Sequence, residues 1–589
     1  MRDTNSKLKR SSLDCLSDQK VLSGASTAKS GEECGVYKQV FDPVSNSLGL
    51  STIFAVLPIL VLFVLLGGLR LAAHIASLIA LAIAILVAII VYSMPVGQSL
   101  DAALEGMAFG IFPIMWIVWN AIWIYNMTEA TGHFAVLRRS FASVSDDQRI
   151  QAVIIAFAFG ALLEALAGFG TPVAITSVML VALGFKPMKA ASVALVANTA
   201  PVAFGAIAIP IVTLAGLTGL PKEDLGAMVG RQTPELALIV PLILVGMVDG
   251  WRGVRQVWPA AMVGGVAFAI AQFACSNYVS VELTDIVASL LSAGAMVAFL
   301  RVWQPSEPLT GETGGVRPAI AGAAATDPAH EREVRRQDAA GGDTRGDVVG
   351  AYLPYVIVIV VFALAQWGPI KDALDSVTQE FSWPGLDVTT PTGDAPSSLT
   401  YKFNWLGAAG TLLLISGLIA MPFLRIGPGR ALAVYGRTLN QLKWATLTVA
   451  TVLGLAYVMN LSAETVTIGL WIAGVGGILG LFSPIIGWLG TAVTGSDTSS
   501  NSLFGVLQVN AAKEAGLDQT LLAAANSSGG VLGKMVSPQN LAIGASAVGL
   551  AGQEGELFRR VLGWSLLLLA IMCVIVYLQT TSVLSWMVV

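Results

Sequence analysis

The sequence predicts an all-α polytopic membrane protein of roughly 12–14 transmembrane helices, built on two structural repeats that contain interrupted helices or re-entrant hairpins. Three observations carry this. Only 12% of the 589 residues are charged and 55% are hydrophobic, against about 25% charged in soluble domains. The apolar residues gather into runs long enough to cross a bilayer. Two polar segments interrupt that pattern at corresponding places in the two halves of the chain.

A hydrocarbon core of ~30 Å needs about 20 residues of helix. Runs of that kind occupy Gly49–Leu69, Leu71–Tyr92, Ala103–Tyr125, Leu236–Val248, Val257–Phe273, Ile286–Val302, Val348–Trp367, Trp405–Leu424, Trp444–Leu461 and Val561–Leu578. Backbone amides have no water partner inside a bilayer, so a spanning segment is either a helix or part of a closed barrel. These runs exceed barrel strands in length and lack strict alternation, which leaves helices.

The organisation follows from where polar stretches fall. Residues 1–48 form a polar N-terminal tail without the apolar core and cleavage site of a secretory signal, and read as mobile. A first membrane half, 49–303, contains repeat 1. A Gly-, Ala- and Pro-rich stretch, 304–347, reads as a flexible loop. A second half, 348–589, contains repeat 2. A further polar segment, Pro369–Asn404, holds Asp372, Asp375, Glu380, Asp387 and Asp394 against only Lys371 and Lys402.

Lys and Arg next to spans resist translocation. The connection with Arg425, Arg430, Arg437 and Lys443 contains no acidic residue and is expected in the cytoplasm. So are the loop with Arg138, Arg139 and Arg149 and the loop with Arg252 and Arg255. The Pro95–Asp101 connection lacks basic residues and is expected outside. That places Arg70 inside and the N-terminal tail outside.

The formal net charge of −4 and the lack of a basic stripe with interleaved aromatics give no sign of nucleic acid binding. Cys15, Cys34, Cys275 and Cys573 are scattered without a CxxC pair, and His74, His133 and His330 are equally dispersed. Neither set has metal-ligand spacing. No cofactor is expected.

The interruptions carry the functional signal. The first runs from Phe159 to Ser177 and continues in Ala197–Pro210; the second runs from Ile486 to Gly505 and continues in Ala525–Asn540. Gly160, Gly168 and Thr171 align with Gly487, Gly495 and Thr498 at an offset of 327, and Asn198 and Pro210 align with Asn526 and Pro538 at 328. Gly and Pro break the helical hydrogen-bond ladder, and nearby Ser, Thr and Asn re-satisfy the freed groups or offer them to a solute. Helices broken in matching positions of two halves point to a transporter's binding site. A broken helix also exposes an N-terminus whose free N–H groups suit an anion.

The hydroxyls of Thr171, Thr199, Ser496, Thr498, Ser499, Ser500, Ser527 and Ser528 could supplement those amides. Any one of them could equally be a helix-packing residue. The cluster Thr494–Ser502 contains no apolar side chain, and polar groups at membrane depth are costly enough to imply a function. Asp497 has two readings, a proton or cation carrier or a carboxylate capping a broken helix. Glu164 likewise is either a coupling residue or a hydrogen-bond partner of a neighbouring helix. Glu105 and Asp249 are expected near membrane surfaces in structural roles. Lys534 could pair with a substrate carboxylate or with Asp497. It does not belong to a phosphate-binding loop, because the glycine spacing is too short and Met535 stands where a hydroxyl is required.

At these residues the sequence resembles the bacterial lactate permease family. EALAGFGTPVAI from Glu164, VANTAPVAFGAIAIPI from Val196, TGSDTSSNSLFG from Thr494 and SPQNLAIGASAVGL from Ser537 carry the resemblance, with GRQTPE at Gly230–Glu235 and DGWRG at Asp249–Gly253. It covers the chain from about Ser51 to the C-terminus and leaves out the tail and the 304–347 loop. It implies proton-coupled symport of lactate, and of glycolate or related 2-hydroxymonocarboxylates, across the bacterial cytoplasmic membrane. The partners it implies are a small carboxylate substrate, a co-transported proton and the lipid bilayer.

Carried onto this chain, the resemblance implies substrate-binding candidates Gly168, Phe169, Gly170, Thr171, Asn198, Thr199, Ser496, Thr498, Ser499, Ser500, Asn501, Asn526, Ser527, Ser528, Gly529 and Gln539. Asp497 and Glu164 are the proton-coupling candidates. Asn198, Asn526 and Gln539 are the candidates for a substrate 2-hydroxyl. A sodium-coupled carboxylate or dicarboxylate transporter could use the same broken helices. An enzyme is not expected, because no histidine, cysteine or paired-carboxylate constellation converges on the polar segments.

Overall fold

The computed structural model describes residues 36–309 and 344–589, apart from residues 70, 143, 146, 167, 169, 366, 392–395, 397–398 and 551. Candidate Phe169 lies outside the described residues, as do Arg70, Cys15, Cys34, His330, Asp394, residues 1–35 of the expected tail and residues 310–343 of the expected loop.

The chain from Tyr37 onward forms one compact helical unit. Among the described residues, nine helical stretches are long and apolar enough to cross a membrane, or ten if one bent pair is counted as a crossing. Shorter apolar helices cover Thr171–Ala182, Thr284–Leu300, Ala409–Phe423 and Glu464–Ala473. At 1.5 Å per residue the 12-residue Thr171–Ala182 helix is about 18 Å long, too short to span alone. The bent pair is Pro187–Ala197 with Val202–Thr218, which meet at 68°. The stretch from Pro234 to Tyr278 is two helices folded back on each other at Asp249 and Gly250: a Cβ at Gly265 would lie 3.0 Å from the Leu238 carbonyl, and the Thr233 hydroxyl donates to Gln272 at 3.2 Å.

The residues sort the helices by exposure. Leu60, Leu86, Ile90, Leu104, Ile270, Val360, Leu418 and Val574 turn large apolar side chains outward, as a lipid-facing surface requires. Gln148–Leu166, apolar on every side from Ala152 to Leu163, is the opposite case: it is buried along its length, which places it inside the bundle. Glu164 belongs to that buried helix.

Glycines set the closest approaches. A Cβ at Gly487 would overlap the Asn526 carbonyl, one at Gly529 the Pro484 carbonyl, and one at Gly533 the Trp488 carbonyl. The helices Leu479–Thr494 and Gln519–Gly533 therefore meet backbone to backbone, the small-residue packing that membrane helices favour.

Among the described residues, four short strands pair in two small sheets. β1 (Tyr37–Lys38) pairs in parallel with β3 (Val388–Thr389), and β2 (Gln379–Ser382) pairs antiparallel with β4 (Thr400–Phe403). The last part of the segment expected to be mobile is thus tied down. The Gln39 amide donates to the Asn460 and Leu461 carbonyls, both at 3.0 Å, and the Tyr37 hydroxyl donates to the Tyr92 and Ser462 carbonyls, both at 3.1 Å. These bonds satisfy carbonyls at the C-terminal end of the Pro428–Ser462 helix, where the backbone turns left-handed at Ala463.

The two residues expected in structural roles have different surroundings. Asp249 pairs with Arg149 at 3.0 Å, a packing role at a helix junction. Glu105 is fully buried within the protein, with neither carboxylate oxygen bonded among the described residues. The Gly106 beside it lies against the backbone of Leu453 and Gly454, which seals the carboxylate between two helices.

Candidate functional site

In the first repeat, the buried helix ends at Leu166 and the next begins at Thr171. Between them Gly168 and Gly170 take left-handed backbone angles, with φ of 50° and 83°, which a side chain would resist. In the second repeat, the helix ending at Thr494 stops at Gly495, also left-handed at 78°, and a new helix starts at Asp497. Gly168 and Gly495, aligned by sequence, therefore perform the same reversal.

Ser496 is the N-cap of the second new helix, its hydroxyl accepting from the Ser499 amide at 3.3 Å. The amides of Asp497 and Thr498 precede the first intrahelical bond and keep their donors free. The second crossings of the two repeats break differently. In repeat 1 the chain turns at Asn198–Pro201 and again at Ala206, Ile207 and Ala208, all left-handed. In repeat 2 it turns at Lys534–Ser537.

These breaks enclose a cavity of about 1060 Å³. Glu164, Gly168, Ala206 and Pro210 line it from repeat 1; Thr494–Ser499, Lys534, Pro538 and Gln539 line it from repeat 2. His74, Trp444, Glu554 and Phe558 line it from helices outside the repeats. The His74 and Trp444 rings stack at 4.4 Å.

Two buried carboxylates reach this cavity in different surroundings. Asp497 Oδ2 accepts from the Ser527 hydroxyl at 2.6 Å, and Oδ1 lies 3.5 Å from the Thr491 hydroxyl. Glu164 Oε1 lies 2.5 Å from Lys534 Nζ, and both side chains are buried. Its Oε2 has no partner among the described residues. Breaking a buried pair by removing one partner typically costs about 3–5 kcal/mol, so this contact fastens repeat 1 to repeat 2. Asp497, the protein partner considered for Lys534 from sequence, is not the one it takes; Glu164 is.

The candidates fall into two layers. Gly168, Ser496, Asp497, Thr498, Ser499, Gln539 and Glu164 line the cavity. The others stand behind it. Ser500 donates to the Gly487 carbonyl at 2.9 Å. Asn526 donates to Asn501 at 2.9 Å, and Asn501 to the Pro210 carbonyl at 3.1 Å, a chain that crosses between repeats. Ser527 holds Asp497, and Gly529 is pressed against Pro484. Gly170 and Thr171 begin their helix away from the cavity wall, facing Ile543 and Asn540 at Gly170. Thr199 bonds the Val196 carbonyl within its own turn. Asn198 Oδ1 and Ser528 Oγ are buried without a partner among the described residues.

Sequence reasoning missed the role of Gly205, where a Cβ would lie 2.7 Å from Glu164 Oε1. It also missed Gln272 and Asp285, joined at 2.9 Å behind the repeat 1 break, with Gln272 also 3.4 Å from the Ala200 carbonyl. A polar pair on two otherwise apolar helices was the available signal.

A family model described as L-lactate permease matches residues 51–583. The chain belongs to the L-lactate permease family. The glycolate permease GlcA of Escherichia coli K12 is 41% identical over 92% of this chain and 98% of its own length. The L-lactate permease of Bacillus subtilis 168 is 39% identical over 94% of this chain and 100% of its own, and that of Escherichia coli K12 is 40% identical over the same shares. Among solved structures, the Alcanivorax borkumensis YdaH transporter aligns over 81% of this chain and 86% of its own, with a TM-score of 0.39 and 15% identity, a likeness too slight to argue from. Membership of the L-lactate permease family makes the protein a multi-pass transporter of the bacterial inner membrane, not an enzyme.

Proposed function

We propose that the protein is a proton-coupled symporter of lactate, with glycolate and related 2-hydroxymonocarboxylates as further substrates, working by alternating access between its two repeats. The observation that carries this reading is the cavity shared by both repeat breaks, where the free helix N-terminus at Asp497 and Thr498 meets the hydroxyls of Ser496, Thr498 and Ser499. Free N–H groups and a positive helix end suit a carboxylate. Gln539, on the same wall, is placed for the 2-hydroxyl. The similarity to glycolate and L-lactate permeases favours the same substrates.

Coupling to a proton makes the loaded carrier electroneutral. A bare anion moving inward works against a potential of about 2.3 kcal/mol per charge per 100 mV. Glu164 and Asp497, the two buried carboxylates on the cavity wall among the described residues, are the candidates for that proton. The residues behind the wall, among them Asn501, Asn526 and Ser527, hold the half-helices in register while one repeat moves against the other.

Uptake into proteoliposomes tests this. Labelled L-lactate, D-lactate, glycolate and succinate are offered under an imposed pH gradient and then under an imposed sodium gradient. Accumulation of L-lactate under the pH gradient, abolished by a protonophore, is expected. If the pH gradient drives none of the monocarboxylates, the reading fails, and sodium-driven succinate uptake would replace it with sodium-coupled dicarboxylate transport.

A further inference from the structure

Lys534 is the one lysine or arginine on the cavity wall among the described residues, and it is already engaged by Glu164 at 2.5 Å. A substrate carboxylate seated at the Asp497 and Thr498 amides on the same wall therefore meets an ammonium group that Glu164 already holds. Resting on the symport reading above, we infer that Lys534 anchors the substrate carboxylate and that Glu164 is its resident competitor, displaced from the lysine when it takes the co-transported proton.

The geometry around Glu164 suits such an exchange. Its carboxylate is packed beside two glycines of the repeat 1 breaks: a Cβ at Gly205 would lie 2.7 Å from Oε1, and one at Gly168 would lie 3.6 Å from it. Oε2 is buried and has no partner among the described residues, so a proton can be seated there with no bond to break. The other charged groups nearby are committed. Asp497, within electrostatic reach of Lys534, accepts from Ser527. Asp285, on the neighbouring Thr284–Leu300 helix and within reach of Glu164, accepts from Gln272 at 2.9 Å. Lys189, on the adjoining Pro187–Ala197 helix, donates to the Val248 carbonyl at 2.7 Å. Glu129 sits in the last turn of the adjoining Trp116–Ala130 helix, and on the rest of the cavity wall Glu554 accepts from the Gly552 amide at 2.9 Å and His74 stacks on Trp444.

The charge balance closes in both halves of the cycle. Empty, the ammonium of Lys534 and the carboxylate of Glu164 sum to zero. Loaded, a proton from the outer solution has neutralised Glu164, and the substrate carboxylate has taken its place on Lys534, so the sum is again zero. Substrate and proton leave together to the cytoplasm when Glu164 ionises and reclaims the lysine. Neither leg moves net charge, and anion binding without the proton is opposed by competition for one cation.

Binding of labelled L-lactate to purified protein, measured between pH 5.5 and 8.5, separates this inference from the symport reading. Wild-type affinity should fall by about tenfold per pH unit once Glu164 is ionised. Glu164→Gln, which cannot engage the lysine as an anion, should bind with an affinity that no longer changes with pH and should lose pH-driven accumulation. Lys534→Gln should lose binding at every pH, and Lys534→Arg should recover part of it. Pairwise replacement, Glu164→Gln with Lys534→Gln, leaves no unpaired buried charge; if either single variant fails to fold, this double variant should fold and not bind. Undiminished binding by Lys534→Gln or by the double variant, or a wild-type pH dependence in Glu164→Gln, overturns the inference. Wild-type protein that accumulates L-lactate under a pH gradient alongside such a result leaves the symport reading standing.

Discussion

The Ser527 hydroxyl lies 2.6 Å from Asp497 Oδ2 and joins the start of one half-helix to the middle of its neighbour at a buried carboxylate. Removing a donor from a buried acceptor typically costs about 1–3 kcal/mol. Ser527→Ala is expected to lower the thermal unfolding midpoint in detergent and to reduce L-lactate uptake. Ser502→Ala, whose hydroxyl bonds only the Thr498 carbonyl of its own helix, should change the midpoint far less. Equal midpoints for the two variants would show that the Asp497 contact stabilises nothing.

Gly530 faces the other oxygen of the same carboxylate. A Cβ there would overlap Asp497 Oδ1 and lie 2.8 Å from the Thr491 hydroxyl. Alanine is the better helix former by about 1 kcal/mol, so propensity alone favours Gly530→Ala. Loss of transport is expected nonetheless, because the carboxylate has to leave its position. Gly294→Ala, where a Cβ meets nothing within 4 Å, should transport as the wild type does. Uptake at matched expression decides between them.

Much of this site was legible in the sequence, and what was not has a physical reason. The glycines at 168 and 495 announced themselves because a helix reversal needs a left-handed residue and the local sequence must supply it. Ser496 and Asp497 were visible for the same reason, since caps are local. The layers were not. Whether Ser499 lines the cavity while Ser500 turns to Gly487 depends on the 100° between successive residues of a helix and on what packs there. The pairing of Lys534 with Glu164 spans 370 residues, and no local pattern encodes a partner at that distance. The sequence also suggested equivalent second breaks. The left-handed run Ala206–Ala208 in repeat 1 has no counterpart at Lys534–Ser537, because each turn is held by its own neighbours. The crossings expected at Leu236–Val248 and Val257–Phe273 are the two arms of a hairpin that turns at Asp249 and Gly250, legible because Asp249 and Arg252 interrupt the apolar run there.

Asp147 and Arg149 give a pH-dependent prediction at the entry to the buried helix. Both side chains are buried, with Arg149 bonding Asp147 at 3.0 and 2.7 Å, Asp249 at 3.0 Å and the Glu307 carbonyl at 2.7 Å. Burial pushes the Asp147 carboxyl up, but the Arg149 guanidinium and the Leu309 and Arg149 amides outweigh it and hold it below the usual carboxylate range. A depressed folded value means that the stabilisation is present above the unfolded value, about 3.9, and is lost as pH falls through the folded one. Thermal unfolding of the wild type should therefore weaken below about pH 4. Asp147→Asn should lack that component and be less stable at pH 7, by about 3 kcal/mol on the scale of broken buried pairs, since Asp249 still serves Arg149. A variant as stable as wild type at pH 7 would refute the assignment.

Gln539 connects the turn at Gly495 to substrate selection. A Cβ at Gly495 would lie 2.6 Å from Gln539 Oε1, on a residue whose φ of 78° already disfavours side chains. Gly495→Ala therefore meets two obstacles, a left-handed backbone costing roughly 1–2 kcal/mol and a collision with Gln539. Combining it with Gln539→Ala removes the collision alone, so the double variant should recover part of the lost thermal stability. Transport should respond differently. Asn198 and Asn526 lie behind the wall, which leaves Gln539 as the amide that faces the cavity and the group that would recognise the 2-hydroxyl. A site that hydrogen-bonds a substrate hydroxyl discriminates against the analogue lacking it, because its own polar group is left unpaired. Gln539→Ala should thus narrow the preference for lactate over propionate by about tenfold, the equivalent of one buried hydrogen bond, mainly by weakening lactate. Competition of propionate against labelled L-lactate measures that ratio directly, and a preference unchanged by Gln539→Ala would assign hydroxyl recognition to another group.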